Sequence, residues 1–339
     1  VCNKCELLRD DIRSARAEDE KISATEALRD HVVLAQKERE FYTTVIEQAS
    51  ESLVANPANP EFTHLTFDFA EQFVLPQHAK QPGPVYYKVM FRVNDFGIVN
   101  EASKEQIHHL YHEGQTMGED NKLNHNPNCV ISMLHAYLES SVHGRKLHLH
   151  CDNCCGQNKN KTMMAYLCWR LLCGLEDQID ISFMVVGHTR CSVDGGFGLA
   201  KQKYRLGDID TMEQLVSVVT ESACSNVAST KNWEWRDWDS FLQGYFKRLA
   251  GITQYQHFNM TKEQPGKIKM KKTSAAEEGD TIQLLRNPSD TTGFSSSSLP
   301  DVLPEAGLSA LRRKYLLDNV AGFCHAENKA AFTECLGQD

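Results

Sequence analysis

Apolar residues follow a helical spacing at the start of the chain and an alternating spacing after residue 60. Between residues 6 and 53 they recur every three to four positions among mixed charges, which is typical of amphipathic helices. The Asn- and Pro-rich stretch at residues 55–60 ends this pattern. In residues 64–70 apolar and polar side chains alternate, as in a half-buried strand. We therefore predict a helical arm over residues 1–58, followed by a core that begins at residue 61.

The core alternates between predicted strands and helices. Strands are predicted at residues 64–70, 85–93, 96–99, 146–151 and 179–186, with a turn at Asn94-Asp95, and helices at residues 127–138, at 162–173 and from about 194. The resulting order, β-β-β-α-β-α-β-α, predicts an antiparallel meander followed by parallel strands that helices connect. This α/β order is that of the ribonuclease H-like fold, a mixed sheet covered by helices.

The remaining segments predict a small C-terminal α+β extension. The core spans residues 61–225 and an accessory region spans 226–286, with strands at 254–260 and 266–272. A serine-rich linker follows at residues 287–300, and a closing helix and tail occupy 301–339. Trp233, Trp235 and Trp238 can stack nucleic-acid bases, but core packing is the favoured interpretation.

Composition limits the classes of function. The 339-residue chain has a net charge of -9, so any nucleic-acid binding must use local basic patches. No run of eighteen apolar residues occurs, and we expect no membrane span. Twelve cysteines are sparse for a disulfide scaffold, which favours reduced thiols inside the cell. The first residue is Val1 rather than Met, from which we expect a fragment of a longer chain.

Three acids lie at or after predicted strands. Asp68 lies in the first strand, Asp152 ends the fourth, and Asp194 follows the fifth. Carboxylates are the preferred ligands of Mg²⁺ and Mn²⁺, and two such ions can clamp the attacking and leaving oxygens of a phosphate. We predict a divalent-metal site at Asp68 and Asp152, with Asp194 as third ligand. His188 is an alternative base or ligand, and Asp194 can instead cap a helix.

Two groups of polar residues are candidates for contact with a nucleic-acid backbone. The first opens the helix after Asp152, where free N–H groups can receive a phosphate unless Asn158 or Asn160 caps the helix. The second is a basic stripe in a predicted strand. The candidate residues are Gln157, Asn158, Lys159, Lys161, Lys267, Lys269, Lys271 and Lys272.

Cysteine spacing indicates a second kind of metal. Cys2 and Cys5 have the spacing of half a zinc site, whose other ligands are expected upstream of the chain. The segment from His148 to Cys155 also contains histidines and cysteines. Because His148 and His150 alternate with leucines, strand patterning accounts for their spacing.

Four sequence strings resemble an uncharacterised family of animal proteins that behave like relics of DNA transposons. The strings are Phe67-Asp-Phe-Ala-Glu-Gln72, Val130-Ile-Ser-Met-Leu-His-Ala-Tyr-Leu138, His150-Cys-Asp-Asn-Cys-Cys-Gly-Gln-Asn-Lys-Asn160 and Ser182-Phe-Met-Val-Val-Gly-His-Thr189. The resemblance runs from Cys2 to about Cys335. It implies a ribonuclease H-like transposase core, a nuclear location, and cysteine-rich segments upstream.

The sequence therefore favours a transposase- or integrase-like protein whose ancestral chemistry is metal-dependent cleavage or transfer of DNA strands. The expected partner is DNA, and the expected ions are Mg²⁺ or Mn²⁺, with Zn²⁺ at the N-terminus. The alternatives are a domesticated module that binds DNA or protein without catalysis, and a zinc-stabilised structural protein.

Overall fold

The computed structural model describes residues 2–118, 125–289, 291 and 293–337 as a mixed α/β protein. The chain divides into two compact units, each assembled from separate segments. The first unit comprises Val1–Leu65, Val142–Arg190 and Leu242–Leu299, and the second comprises Thr66–Ser141, Cys191–Phe241 and Pro300–Asp339.

The elements confirm N-terminal helices followed by sheet strands and connecting helices. The α-helices of the described residues are α1 (Asn3–Ser14), α2 (Glu18–Ala55), α3 (Pro127–Ser140), α4 (Lys161–Leu172), α5 (Ser192–Leu206), α6 (Met212–Thr220), α7 (Trp238–Gln243), α8 (Ala310–Asn319) and α9 (Lys329–Cys335). The strands are β1 (Phe62–Phe69), β2 (Phe73–Leu75), β3 (Phe91–Asn100), β4 (Gln106–His112), β5 (Lys146–Cys151), β6 (Gln178–Phe183), β7 (Asn226–Thr230), β8 (Trp235–Arg236), β9 (His257–Thr261), β10 (Lys267–Lys271), β11 (Asp280–Gln283) and β12 (Val302–Leu303).

The sheet of the first unit has the order β11-β10-β9-β6-β5, followed by the first half of β1. Strands β5 and β6 are parallel, and α4 provides the crossover that a parallel pair requires. Strands β9 and β10 continue the sheet in antiparallel pairs. Buried leucines and isoleucines on β5 and β6 form its core, as expected for strands covered on both faces.

The sheet of the second unit begins with the second half of β1 and continues through β3, β4 and β7. The β3–β4 pair is antiparallel, β7 is parallel to β4, and β2 pairs with the other side of β3. Trp233, Trp235 and Trp238 are buried in this unit, which confirms the core interpretation of these tryptophans.

The strand expected at residues 85–93 is wrong for residues 85–90, since β3 begins at Phe91, and the turn expected at Asn94-Asp95 is wrong. Gly83–Tyr87 forms a 3₁₀ helix, and β3 runs without a break through Asn94 and Asp95. Both side chains are buried, and the Asp95 carboxylate lies 2.9 Å from His108 Nδ1 on β4. Polar residues that usually mark a turn are therefore satisfied here inside the sheet.

The turn lies instead after β3, where the sequence pattern predicted none. The Asn100 side chain accepts hydrogen bonds from the N–H groups of Ala102 and Ser103, and Lys104 adopts a positive φ of 63°. This turn leads into β4, a strand that was not predicted from the sequence.

Other expected elements have close counterparts in the structure. Strand β5 has the predicted bounds, and α3, α4, α5 and α8 all occur. The predicted linker contains no helix or strand among its described residues. All twelve cysteines are described, and none forms a disulfide.

Candidate metal centre

Four side chains of the first unit converge at Cys2, Cys5, His31 and His188. Their ligand atoms all lie within 4.8 Å of one another. Cys2 Sγ is 3.2 Å from His31 Nε2, Cys5 Sγ is 3.5 Å from His188 Nε2, and the two Nε2 atoms are 3.2 Å apart. Around a tetrahedral ion with N at about 2.0 Å and S at about 2.3 Å, N–N edges are about 3.3 Å and S–N edges about 3.5 Å. The four side chains can therefore hold a metal ion.

The start of α1 positions the two thiols. Cys2 is the residue before the first helical turn, and the spacing of three residues puts Cys5 on the same side. Burial raises the pKa of the Cys2 thiol, but hydrogen bonds from the backbone N–H groups of Cys5 and Lys4 leave that pKa below its usual value. Burial raises the pKa of Cys5. The helix start thus favours the thiolate of Cys2, the form that binds metal.

The two imidazoles come from α2 and from the loop after β6. Burial lowers the pKa of His31, and positive charge on Lys4 and on His188 lowers it further, which favours the neutral ligand form. Gly187 precedes His188 with a φ of +80°, and the His188 N–H donates to the Val185 carbonyl at 2.8 Å.

Arg39 of α2 fixes the same loop. Its guanidinium donates to the carbonyl of Arg190 and, at 3.4 Å, to that of His188. The ligand-bearing loop is therefore held on α2 independently of the ligand atoms.

This group corrects the expectation for the N-terminal cysteines. Their two further ligands were expected upstream of the chain, whereas the structure provides them downstream, in His31 and His188. His31 was not among the residues predicted from the sequence, and His188 was considered only as a partner of the acids.

Asp152 lies in the first unit, directly after β5. Its Oδ1 atom accepts hydrogen bonds from the Cys154 N–H at 3.0 Å and from the Asn158 side chain at 2.7 Å. The side chain of Asn160 caps α4 by accepting from the N–H groups of Thr162 and Met163. The capping alternative is thus confirmed for Asn160, whereas Asn158 holds the carboxylate.

Asp68 and Asp194 lie in the second unit, near the thiol of Cys191. Asp194 accepts the Cys191 N–H at 2.9 Å, in a capping box at the start of α5. Burial raises the pKa of the Cys191 thiol, and the carboxylates of Asp194, Asp68 and Glu101 raise it further. These three acids are therefore close enough to one thiol to act on its charge.

Glu101 is an acid that was not predicted from the sequence. It is fully buried, and it accepts hydrogen bonds from Thr66 Oγ1 at 2.5 Å and Ser192 Oγ at 2.7 Å. Its position in the β3–β4 turn was hidden because that turn was predicted elsewhere.

The candidate backbone-contacting residues have different surroundings. Lys159 is buried, and its ammonium donates to Asn153 Oδ1 at 2.7 Å and Gln256 Oε1 at 3.2 Å. Burial lowers its pKa to about 8. Gln157, in the same loop, is half-buried, and Lys161, the first residue of α4, is exposed. The Lys159 ammonium is thus used inside the first unit.

The predicted basic stripe lies on and just after β10. Lys267 and Lys269 are exposed, whereas Ile268 and Met270 are buried between them. Lys271 is half-buried, and Lys272 is exposed directly after the strand. The stripe therefore presents ammonium groups on one face of an outer part of the sheet.

His148 and His150 take part in hydrogen bonds and do not belong to the Cys/His group formed by Cys2, Cys5, His31 and His188. His148 Nε2 is 2.9 Å from Ser182 Oγ, and His150 Nδ1 is 2.8 Å from His64 Nε2. Of the described residues, only Cys2, Cys5, His31 and His188 form a group of three or more candidate ligands that could share one ion.

Comparison with known families gives a match over the middle of the chain. Residues 93–278, more than half of the chain, match the family model described as a domain of unknown function (DUF7869), and the chain belongs to this family. Neither the curated proteins nor the solved structures contain a match. No helix in the described part of the chain combines the length and apolarity needed to cross a membrane.

Proposed function

We propose that this protein is a transposase- or integrase-like protein that acts on DNA in the nucleus. The observation that carries the proposal is the order in which the other strands follow β1 within the sheet of each unit. In the second unit, β3 and β4 follow β1 in order, and in the first unit β5 and β6 do so. This order supports a ribonuclease H-like sheet, in which Asp68 belongs to β1 and Asp152 follows the strand next to β1.

In this proposal Asp68 and Asp152 would hold divalent ions, with Asp194 as third ligand. The donor set fits, since carboxylates are the preferred ligands of Mg²⁺ and Mn²⁺. Such ions would stabilise the charge that develops on phosphate oxygens while water or a DNA 3′-hydroxyl attacks in line. Asp194 Oδ2 lies 3.9 Å from the Cys191 thiol, and the charge of Asp68 also acts on this thiol.

The test is a calorimetric titration of Mn²⁺ into protein whose Cys/His group has first been loaded with zinc. We expect wild type to bind Mn²⁺ and Asp68→Asn/Asp152→Asn to lose at least tenfold in affinity. The matched control, Asp19→Asn/Asp318→Asn, removes two exposed acids on helices and should bind as wild type does. Equal affinity in wild type and the Asp68/Asp152 variant would refute the carboxylate site.

A catalytically inactive module that binds DNA or protein is the second candidate. Two observations favour it. Of the described residues, only the Cys/His side chains form a group of three or more ligands that could share one ion. Asp152 and Asp194 instead each accept local backbone hydrogen bonds. This candidate predicts salt-dependent DNA binding without Mn²⁺-dependent cleavage of a labelled duplex.

We further propose that the ion held by Cys2, Cys5, His31 and His188 is structural Zn²⁺. Two thiolates and two imidazoles in tetrahedral spacing are the ligand set that zinc prefers. With four protein ligands, no coordination position is left for a substrate. The ion would join α1, α2 and the loop after β6 into one structure.

Metal analysis of the purified protein tests this assignment. We expect about one zinc per chain in wild type, and little in Cys2→Ser/Cys5→Ser. Because zinc at a hundredfold excess over its Kd stabilises a protein by about 2.7 kcal/mol, the variant should also melt several degrees lower. Cys155→Ser/Cys224→Ser, which alters two exposed cysteines, is the control. Zinc content that is the same in all three proteins would exclude the site.

A further inference from the structure

A buried chain of hydrogen bonds runs from α2 into the sheet of the first unit. Glu38 Oε2 on α2 lies 2.8 Å from His257 Nε2 on β9. His257 Nδ1 lies 2.8 Å from Ser182 Oγ on β6, and this hydroxyl lies 2.9 Å from His148 Nε2 on β5. Hydrogen bonds thus connect Glu38 on α2 to β9, then to β6, and then to β5.

Aromatic rings fill the space beside this chain. The His148 and His150 rings stack with centroids 4.7 Å apart, and His64 is bonded to His150. From α2, Phe41 packs against His148 at 5.8 Å and Tyr42 packs edge-on against His150 at 4.9 Å. The middle of α2 therefore rests on a layer of imidazoles rather than on an aliphatic core.

The layer requires an uncharged His148. Burial lowers the pKa of His148 to about 3, and positive charge on His257 adds to this effect. Within the described ranges, no carboxylate is bonded to the His148 ring, and its hydrogen-bond partner is the Ser182 hydroxyl. A proton added to His148 would therefore be a buried charge without a counter-ion.

Other ionisable side chains face this histidine layer from α2 and from the neighbouring strands. They are Glu38 on α2, His64 on β1, His150 on β5, Asp180 on β6, His257 on β9, and Lys269 and Lys271 on β10. Of the two acids, Glu38 is bonded to His257 and Ser274, and Asp180 to Asn259 and Gln178. Both carboxylates are thus already paired away from His148.

We infer that this histidine layer is an acid-sensitive latch, which holds the middle of α2 on the sheet at neutral pH and releases it on acidification. A histidine whose folded pKa is depressed favours the open state as pH falls, because the open state binds more protons. The stabilisation is complete above about pH 6.5 and is lost progressively below it. The titration that drives the latch is that of His148, and none of the latch groups contacts Cys2, Cys5, His31 or His188, so the latch is independent of the zinc proposal.

Amide hydrogen exchange of the zinc-loaded full chain tests the latch. For a peptide covering about residues 38–50, the opening equilibrium, corrected for intrinsic exchange, should rise at least about fivefold between pH 6.5 and 5.5, the factor expected for one histidine that binds its proton in the open state with a pKa of about 6.5. In His148→Gln this rise should be about fivefold smaller. The control His325→Gln should leave the rise in the opening equilibrium unchanged, because His325 belongs to the second unit, where its Nδ1 is 2.8 Å from Asp210 Oδ2. An α2 peptide that is insensitive to pH in wild type, or equally sensitive in His148→Gln, would overturn the inference.

Two further measurements guard against ambiguous results. Exchange of the imidazole C2 hydrogen in wild type reports individual histidines, and His148 should titrate below pH 5; titration near 6.5 would contradict the latch even if His148→Gln fails to fold. Acid opening should also persist in Cys2→Ser/Cys5→Ser. If it disappears there, the sensitivity belongs to the metal centre and the latch is refuted.

Discussion

At the scale of single residues, Gly187 shows how closely the loop after β6 approaches the thiols. Its φ is +80°, and an added Cβ atom would lie 2.8 Å from the Cα, Cβ and Sγ atoms of Cys2. A methyl group at this position must displace either His188 or Cys2. The metal-type group thus depends on a residue that supplies no ligand atom.

We therefore expect Gly187→Ala to lower zinc affinity at least tenfold, measured by competition with a chromogenic chelator. Gly174→Ala is a matched control, because its φ of +73° imposes the same backbone strain of about 1–2 kcal/mol while no atom lies within 4 Å of the added Cβ. That control should lose stability but keep its zinc affinity. Equal affinities in both variants would contradict a packing role for Gly187.

A second residue-scale prediction concerns the buried pair of Arg170 and Glu176 in the first unit. Arg170 Nη2 donates to Glu176 Oε1 at 2.6 Å, and His143 lies 3.1 Å from the same oxygen. Glu176→Gln leaves the guanidinium buried without its counter-ion. We expect a loss of about 3–5 kcal/mol in the free energy of unfolding, measured by urea denaturation.

The pH dependence of this pair follows from the direction of its pKa. Burial raises the pKa of Glu176, but the hydrogen bond from His143 and the charge of Arg170 bring it below its usual value. Its contribution to stability is therefore complete above about pH 4.5 and is lost as pH falls. Asp177→Asn, which breaks exposed pairs with Arg145 and Lys262, should have a much smaller effect.

At the scale of elements, the long helix α2 buries only a few of its residues. The helix spans 38 residues, yet its buried positions are His31, Glu38, Tyr42, Val45 and Ala49. The first turns, before His31, contribute no buried residue. Ordering of α1 and of this part of α2 therefore depends on the Cys/His group and on the packing of the two helices against each other.

Removal of metal should consequently loosen the two ends of α2 unequally. After chelation and buffer exchange, we expect amide exchange over about residues 3–34 to accelerate at least tenfold at pH 7.5. Exchange over about residues 38–50 should change less than threefold, because the histidine layer holds that part. Uniform acceleration along the whole helix would show that α2 is released as one element.

The success of sequence-based prediction also differs between elements. Strand β5 was predicted with its observed bounds because its apolar residues alternate regularly and turns flank it. The β3–β4 hairpin was missed because the Asn94 side chain donates to the Tyr111 carbonyl and the Asp95 carboxylate pairs with His108, both on β4, and no local pattern records such partners. The turn propensity of Asn and Asp reflects their behaviour without tertiary contacts, and the hydrogen-bond partners of Asn94 and Asp95 in the folded sheet override it here.

The candidate site was predictable only in its local part. The spacing of Cys2 and Cys5 indicated half of a metal site, since both thiols come from one helix start. His31 and His188 are distant in sequence, and tertiary folding alone brings them to the thiols. A useful signal was that an incomplete Cys-x₂-Cys motif requires partners, and His31 lies on the next helix.

At the scale of the whole molecule, charge limits how the protein can meet DNA. The net charge of -9 opposes non-specific binding, so association must depend on local groups of cations. Lys159 is buried and therefore unable to contribute at the surface. Lys267 and Lys269, which extend from one face of β10, remain exposed.

If the proposed DNA partner is correct, these two lysines should account for a measurable part of the salt dependence. Each phosphate contact contributes about 0.9 to the slope of log K against log salt concentration for duplex DNA. We expect Lys267→Gln/Lys269→Gln to reduce the magnitude of that slope by about two, measured by fluorescence anisotropy between 50 and 200 mM salt. Lys80→Gln/Lys329→Gln removes the same charge from exposed positions of the second unit and should preserve the slope. Identical slopes in all three proteins would exclude the β10 stripe from the interface, and they would leave the exposed Lys161 at the start of α4 as the next cation to test.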